Sequence, residues 1–183
     1  MATTQAPVKS TTWKIDPVHS NVEFAVKHLM ISTVKGRISD VEGEIVIADG
    51  DPSKSTVSAT LKAVSIDTRT TQRDDHLRSA DFLDAVNFPE ITFRSTRITG
   101  DESEFKVTGD LTIRGVTRPV TLDATNEGAG KDPWGGDRIA FSATTKLDRR
   151  DFGLTWNQAI EAGGVLVGND VKVSIDVQAV KQP

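Results

Sequence analysis

NVEFAVKHLM, residues 21–30, decides the fold: Val22, Phe24, Val26, His28 and Met30 share one phase, while Asn21, Glu23 and Lys27 share the other. Strict period-two alternation marks a strand with one dry face. The pattern spreads outward through Val34, Gly36 and Ile38, then flips to Val41, Gly43, Ile45 and Ile47. Such a flip requires a bulge or sharp bend near Ser39–Asp40. DGDP at 49–52 closes the strand, and Val57, Ala59, Leu61 and Ala63 follow in phase; near Val64 and Ile66 both faces turn apolar, so that end is expected to be covered.

Residues 68–89 break the alternation and hold the plausible helical turns. Thr71 stands three residues before Asp74 in the manner of a capping box, and Ser79 can head a second turn carrying Phe82 and Leu83. Alternation resumes at Ile91–Phe93, 105–113, 120–124, 139–147 and 171–179, with turns at Gly100–Asp101, Gly115–Val116 and 126–137. The count is about eight antiparallel strands with short connections and no helical layer. A sheet of this kind has to close or fold over, and the up-and-down order favours closure into an elongated all-β barrel with one or two short helical turns around 71–85.

The chain has 183 residues, no Cys, three His and a formal charge of −4. Its length suits one domain, read as 13–183 after a flexible tail at 1–12. Without Cys there is no disulfide framework, thiolate zinc site, iron–sulfur cluster or cysteine nucleophile. Mild acidity argues against a general nucleic-acid binder. MATTQAPVKSTT carries no apolar run, so it is neither a secretory signal nor a spanning helix, which points to the cytoplasm.

The inward phase mixes Gly36, Gly43, Ala59, Ala63, Gly109, Ala124 and Ala143 with Phe24, Phe93, Phe105 and Phe141. Two readings stand: a packed barrel whose small residues fit its taper, or a long narrow apolar channel. Motifs for chemistry are mostly absent. His19, His28 and His76 lack HExxH spacing, no GxSxG elbow or Walker loop is present, and DPVHSN reads as a turn in which Asp16 and Ser20 bond backbone. RGVTRP at 114–119 reads as a hairpin tip. LDRRDFGLTWN at 147–157 is either a barrel-end loop braced by Arg–Asp pairs or a place where Arg149 meets a polar head group with Trp156 as an apolar wall.

WKIDPVHSNVEFAVKHL, SIDTRTTQRDDHLRSADFLDAVNFPEITF, GDLTIRGVTRPVTL and DRRDFGL, in that order, resemble the YceI-like family of lipocalin-like, polyisoprenoid-binding proteins from about Trp13 to Val180. The motif positions are His19, Ser20 and His28; His76, Leu77 and Arg78; and Arg149, Asp151, Phe152 and Gly153. The resemblance implies a lipocalin-like barrel, without catalysis, metal or cofactor, that stores or transports a long-chain isoprenoid lipid: a polyprenyl chain, a prenyl quinone or its precursor. Many family members are exported to the periplasm, and the missing signal sets this chain with the cytoplasmic ones.

The candidate lumen residues are Phe24, Val26, His28, Met30, Ile38, Leu61, Phe93, Phe105, Leu111 and Phe141, with His76, Arg78, Arg149, Asp151 and Trp156 at the mouth. Two rivals remain at this point, an enzyme or redox partner using the lumen as an active site and a protein-interaction module with a solid barrel. Stable membrane insertion is not expected, although transient membrane contact is compatible with the pattern. The apolar loop 155–169 is either a lid or a homodimer contact.

Overall fold

The structure, a computed structural model, describes residues 9–161 and 163–183, so most of the expected tail lies outside the described residues. The strands are β1 (Ser10–Ile15), β2 (Asn21–His28), β3 (Ser32–Ile38), β4 (Val41–Ala48), β5 (Thr56–Lys62), β6 (Ile66–Asp67), β7 (Glu90–Gly100), β8 (Glu104–Ile113), β9 (Val116–Lys131), β10 (Asp137–Asp148) and β11 (Val167–Lys181), with one helix, α1 (Thr71–Arg78).

Eleven segments build eight wall strands. One edge of β11 is paired by β2 (Val171 opposite Val26, Asp176 opposite Asn21) and then by β1 (Ala179 opposite Ile15, Lys181 opposite Trp13), so β1 and β2 are halves of one strand. In the same way β3 pairs β2 while β4 pairs β1, and β6 pairs β3 while β5 pairs β4. From β5 the order runs through β7, β8, β9, β10 and β11, which returns to β1 and β2 and closes the barrel. The all-β, eight-stranded, antiparallel up-and-down reading therefore holds, and closure leaves the long strands without a free sheet edge over most of their length.

The phase flip near Ser39–Asp40 is the break between β3 and β4, where Ser65 Oγ accepts from the Asp40 N–H (3.0 Å). The barrel starts earlier than expected: Ser10–Thr12, which carry no apolar marker, pair with Ala48–Val46. Val64 is exposed rather than covered, because a 3-10 turn at Ala63–Ser65 swings it outward while Ile66 stays buried. Nor does a capping box start α1. Thr70 is its N-cap but its hydroxyl caps no helix N–H, whereas buried Asp74 accepts from the Thr68 N–H (2.8 Å) and hydroxyl (2.6 Å).

The barrel has an upper rim, made by the turn 29–31, segment 68–89, the turn 114–115 and residues 149–161 and 163–166, and a lower rim made by 49–55, 101–103 and 132–136. Towards the upper rim β9 and β10 part company after Thr144 opposite Asp123. Buried Phe152, on a 3-10 turn at Arg149–Phe152, packs with Val120 in the largest apolar cluster there.

Candidate functional site

The inward faces leave a cavity of about 1480 Å³ along the barrel axis. Phe24, Val26, His28, Ile38, Leu61, Phe93, Phe105, Leu111 and Phe141 all line it, as do Val171, Val173, Ile175 and Val177 of β11, which the sequence marked as a strand but not as part of the site. Of the two readings of the inward small residues, the channel is the correct one.

The glycines explain how a lumen so rich in Phe stays open. Gly36 faces Phe24 across the β2–β3 ladder, and a Cβ there would lie 2.5 Å from the ring tip Cζ. At Gly109 a Cβ would lie 2.5 Å from both Phe93 Cζ and the Arg94 carbonyl oxygen. Each ring therefore lies along the wall over a neighbouring strand's glycine, filling the space a side chain would take, instead of projecting across the axis. Lower down, Phe105 sits opposite Ala124 and meets Phe141 edge-on, with ring centroids 5.9 Å apart.

Three expected site residues lie elsewhere. Met30 does not continue the strand into the lumen, because the chain reverses at 29–31 and leaves it 55% exposed at the hairpin tip. Arg78 is a brace: Nε donates to the Val64 carbonyl and Nη2 to that of Ile66 (both 2.8 Å), and Nη1 bonds Asp75 (3.1 Å), tying α1 to the chain before it. Asp151 is exposed on the outer side, at a small depression between β9 and β10.

Arg149 does reach the cavity, but its buried guanidinium is committed to its own loop. Nε donates to the Gly168 carbonyl (2.9 Å), Nη1 to those of Leu154 (2.7 Å) and Trp156 (2.8 Å), and Nη2 to that of Val167 (3.4 Å). Burial holds its pKa below the ordinary guanidinium value. The sequence alternative of a barrel-end brace is thus what its contacts show, with backbone carbonyls rather than Asp as partners.

The mouth is formed by His76, Phe82 and Trp156. The His76 ring meets Trp156 edge-on at 4.6 Å and Phe82 at 5.0 Å, and its Nε2–H donates to the Asp81 carboxylate (2.8 Å). Leu77 of the His76–Leu77–Arg78 motif and Leu166 also line this end, as do Gln72 and Arg73, which the sequence does not mark, since a short polar helix gives no period that aims a side chain into a barrel. His28 lines the same end, and no hydrogen bond engages its imidazole among the described residues.

Charge divides the lumen along its axis. Arg73 bonds only neutral oxygens, the Thr68 hydroxyl (2.7 Å) and carbonyl (2.8 Å) and the Thr70 hydroxyl (3.2 Å). Neither Arg73 nor Arg149 has a direct carboxylate ion pair among the described residues; Asp74 stands one hydroxyl away from Arg73, through Thr68, and Asp148 acts on Arg149 only through space. The lower end is lined by Asp49, Asp51, Asp101 and Glu102, of which Asp51 is paired with Lys54 (3.4 Å). The Ser53 hydroxyl holds Asp51 below its ordinary pKa, and the Glu104 and Ser103 N–H groups do the same for Asp101, so both are ionised near neutrality.

The DPVHS segment has no nucleophile geometry. Ser20 Oγ donates to the Gln178 carbonyl (3.2 Å) and accepts its N–H (3.1 Å), standing in for a ladder pair where β1 and β2 are interrupted. His19 Nδ1 is turned to Asp16 (2.8 Å), not to the serine. Among the described residues no His, Asp and Glu converge in threes as a metal site would require.

Comparison with known proteins agrees with this architecture. A family model described as the YceI-like domain matches residues 13–179. Protein YceI of Escherichia coli O6:H1 is 43% identical over 144 residues, covering 78% of this chain and 75% of that protein. The crystal structure of a Campylobacter jejuni YCEI protein superposes with a TM-score of 0.71 at 34% identity, covering 86% of this chain and 90% of that one. A polyisoprenoid binding domain from Saccharophagus degradans, implicated in plant cell wall breakdown, shares the fold at a TM-score of 0.64 and 12% identity, covering 93% of this chain and 98% of that one.

Proposed function

The chain belongs to the YceI-like family, and from that premise we propose that it is a non-catalytic carrier that holds a long-chain isoprenoid lipid in the barrel lumen, tail along the axis and polar head at the upper rim. The observation that carries this reading is the continuous apolar channel, kept open by the Phe-over-Gly walls. At ~30 Å³ per water-sized group, 1480 Å³ has room for a chain of several tens of carbons. Burial of such a chain stabilises the complex by about 0.8 kcal/mol per CH₂, ample without any polar contact. That a polyisoprenoid binding domain, the one from Saccharophagus degradans, has this same fold supports the choice of ligand.

Orientation follows from charge. An electron-rich head, such as a quinone carbonyl or a phosphate, is favoured beside Arg73, Arg149 and the free His28 imidazole, and disfavoured beside the carboxylates at the other end. Trp156 at the mouth reports on the head. A prenyl quinone is expected to quench its fluorescence saturably at one equivalent, with most of the quenching lost in Trp156→Phe. A tail-less quinone of the same ring that quenched with equal affinity would contradict the reading, since the tail supplies the binding energy.

A further inference from the structure

The turn between β2 and β3 is made of residues its geometry disfavours. The Ile31 N–H donates to the His28 carbonyl (3.2 Å), and both central residues have positive φ, 53° at Leu29 and 62° at Met30. Asn-Gly is the usual occupant of such a turn, because a Cβ is crowded there. This chain instead places Leu, Met and Ile in succession and exposes them, Met30 by 55% and Ile31 by 83%. None of the three lines the lumen, yet they stand beside its mouth: the Leu29 N–H donates to the Leu166 carbonyl (2.9 Å).

The strands that carry this tip are basic. Together β2 and β3 hold Lys27, Lys35 and Arg37 against one carboxylate, Glu23, within a molecule of net charge −4. Arg37 pairs with Asp67 (3.4 Å), whereas the exposed Lys27 and Lys35 make no ion pair among the described residues. An apolar tip flanked by free lysines matches an anionic bilayer: the side chains enter the boundary between head groups and acyl chains, and the ammonium groups meet the lipid phosphates.

We propose that the Lys27–Lys35 hairpin docks the upper rim on an anionic lipid surface, so that a prenyl chain passes between bilayer and lumen without crossing water. Its purpose rests on the carrier reading above; the docking itself does not. Flotation with phosphatidylcholine vesicles, with and without phosphatidylglycerol, tests it on the full chain, alongside uptake of a prenyl quinone from detergent micelles. The parent protein is expected to float with the anionic vesicles and to be released about tenfold by high salt. Met30→Asp with Ile31→Asp abolishes flotation and leaves micelle uptake unchanged.

A second variant, Leu29→Asn with Met30→Gly, fits the turn and is expected to raise Tm while losing flotation, which separates docking from folding. Absence of flotation by the parent, or equal flotation by the Asp variant, overturns the proposal. So does a dimer in ultracentrifugation that the Asp variant dissolves, since a second copy would then occupy the tip. Failure of micelle uptake with flotation intact counts against the carrier reading and not against the docking.

Discussion

Gly36 and Phe24 show how one position controls the bore of the channel. With no side chain at 36, the ring lies flat on the wall; a methyl there would overlap Cζ at 2.5 Å and Thr68 Cγ2 at 2.8 Å. Gly36→Ala is therefore expected to swing Phe24 into the lumen, at a cost of about 1–3 kcal/mol in stability from overpacking, and to weaken retention of a prenyl chain. Shortening the ring in the double variant Gly36→Ala, Phe24→Leu restores part of both losses, as urea melts and lipid retention would show. A Gly36→Ala protein with unchanged melting and unchanged retention would mean that the ring does not need the glycine. This pairing was half legible. Interleaved Phe and small residues stand in the sequence at a period of two, but which glycine faces which ring depends on register, and register is set by the closed ladder.

At the level of elements, the interruption between β1 and β2 is held by a clasp. Arg138 on β10 bonds Asp16 (2.7 Å) and Gln178 Oε1 (2.8 Å) through Nη1 and Asp132 (2.9 Å) through Nε, joining the break, the last strand and the lower turn at 132–136. The Arg138 guanidinium, helped by His19 and the Val18 N–H, lowers the Asp16 pKa from 3.8 to about 2. Because the folded value lies below the unfolded one, this stabilisation is fully present above pH 3.8 and disappears as pH falls through about 2. Asp16→Asn is expected to lose on the order of 2 kcal/mol at neutral pH, with the gap to the parent closing between about pH 4 and 2. Thermal melts across that range check it, and a gap that persists at the acid end would assign the loss to something other than the charge.

The elements themselves differ in how plainly the sequence announces them. Period-two alternation reveals the strands because one face is dry and the other wet, which is why the long wall strands and their up-and-down order were readable. Turn chemistry is silent at 29–31: His28 and Met30 keep the strand's phase and no Asn or Gly marks the reversal, so the pattern places Met30 in the lumen although it sits at an exposed tip. Arg149 beside Trp156, and Arg78 in the His76–Leu77–Arg78 motif, suggest head-group recognition in the sequence. In the structure Arg78 is committed to the Val64 and Ile66 carbonyls and to Asp75, while the N–H groups of Arg149 are held by backbone carbonyls, which leaves its charge alone to act on the lumen. A sequence carries no mark of a carbonyl that a fold leaves unsatisfied.

For the molecule as a whole, a single-walled barrel packs its apolar clusters into the wall and leaves a cavity along its axis, so part of the hydrophobic stabilisation is available only to a ligand. That links length of chain to length of lumen. Ala143 lines the cavity opposite Ala124, and Ala143→Trp is expected to plug the lower half, leaving shorter prenyl chains able to bind and excluding longer ones. Native mass spectrometry of the protein loaded from a mixture of prenyl quinones of graded length reads this out. One lipid per chain is expected, with affinity that rises with tail length in the parent and a ceiling on tail length in Ala143→Trp. A protein that stays empty across the series, or whose Ala143→Trp form binds every length as the parent does, would contradict a lumen that carries the chain along its axis.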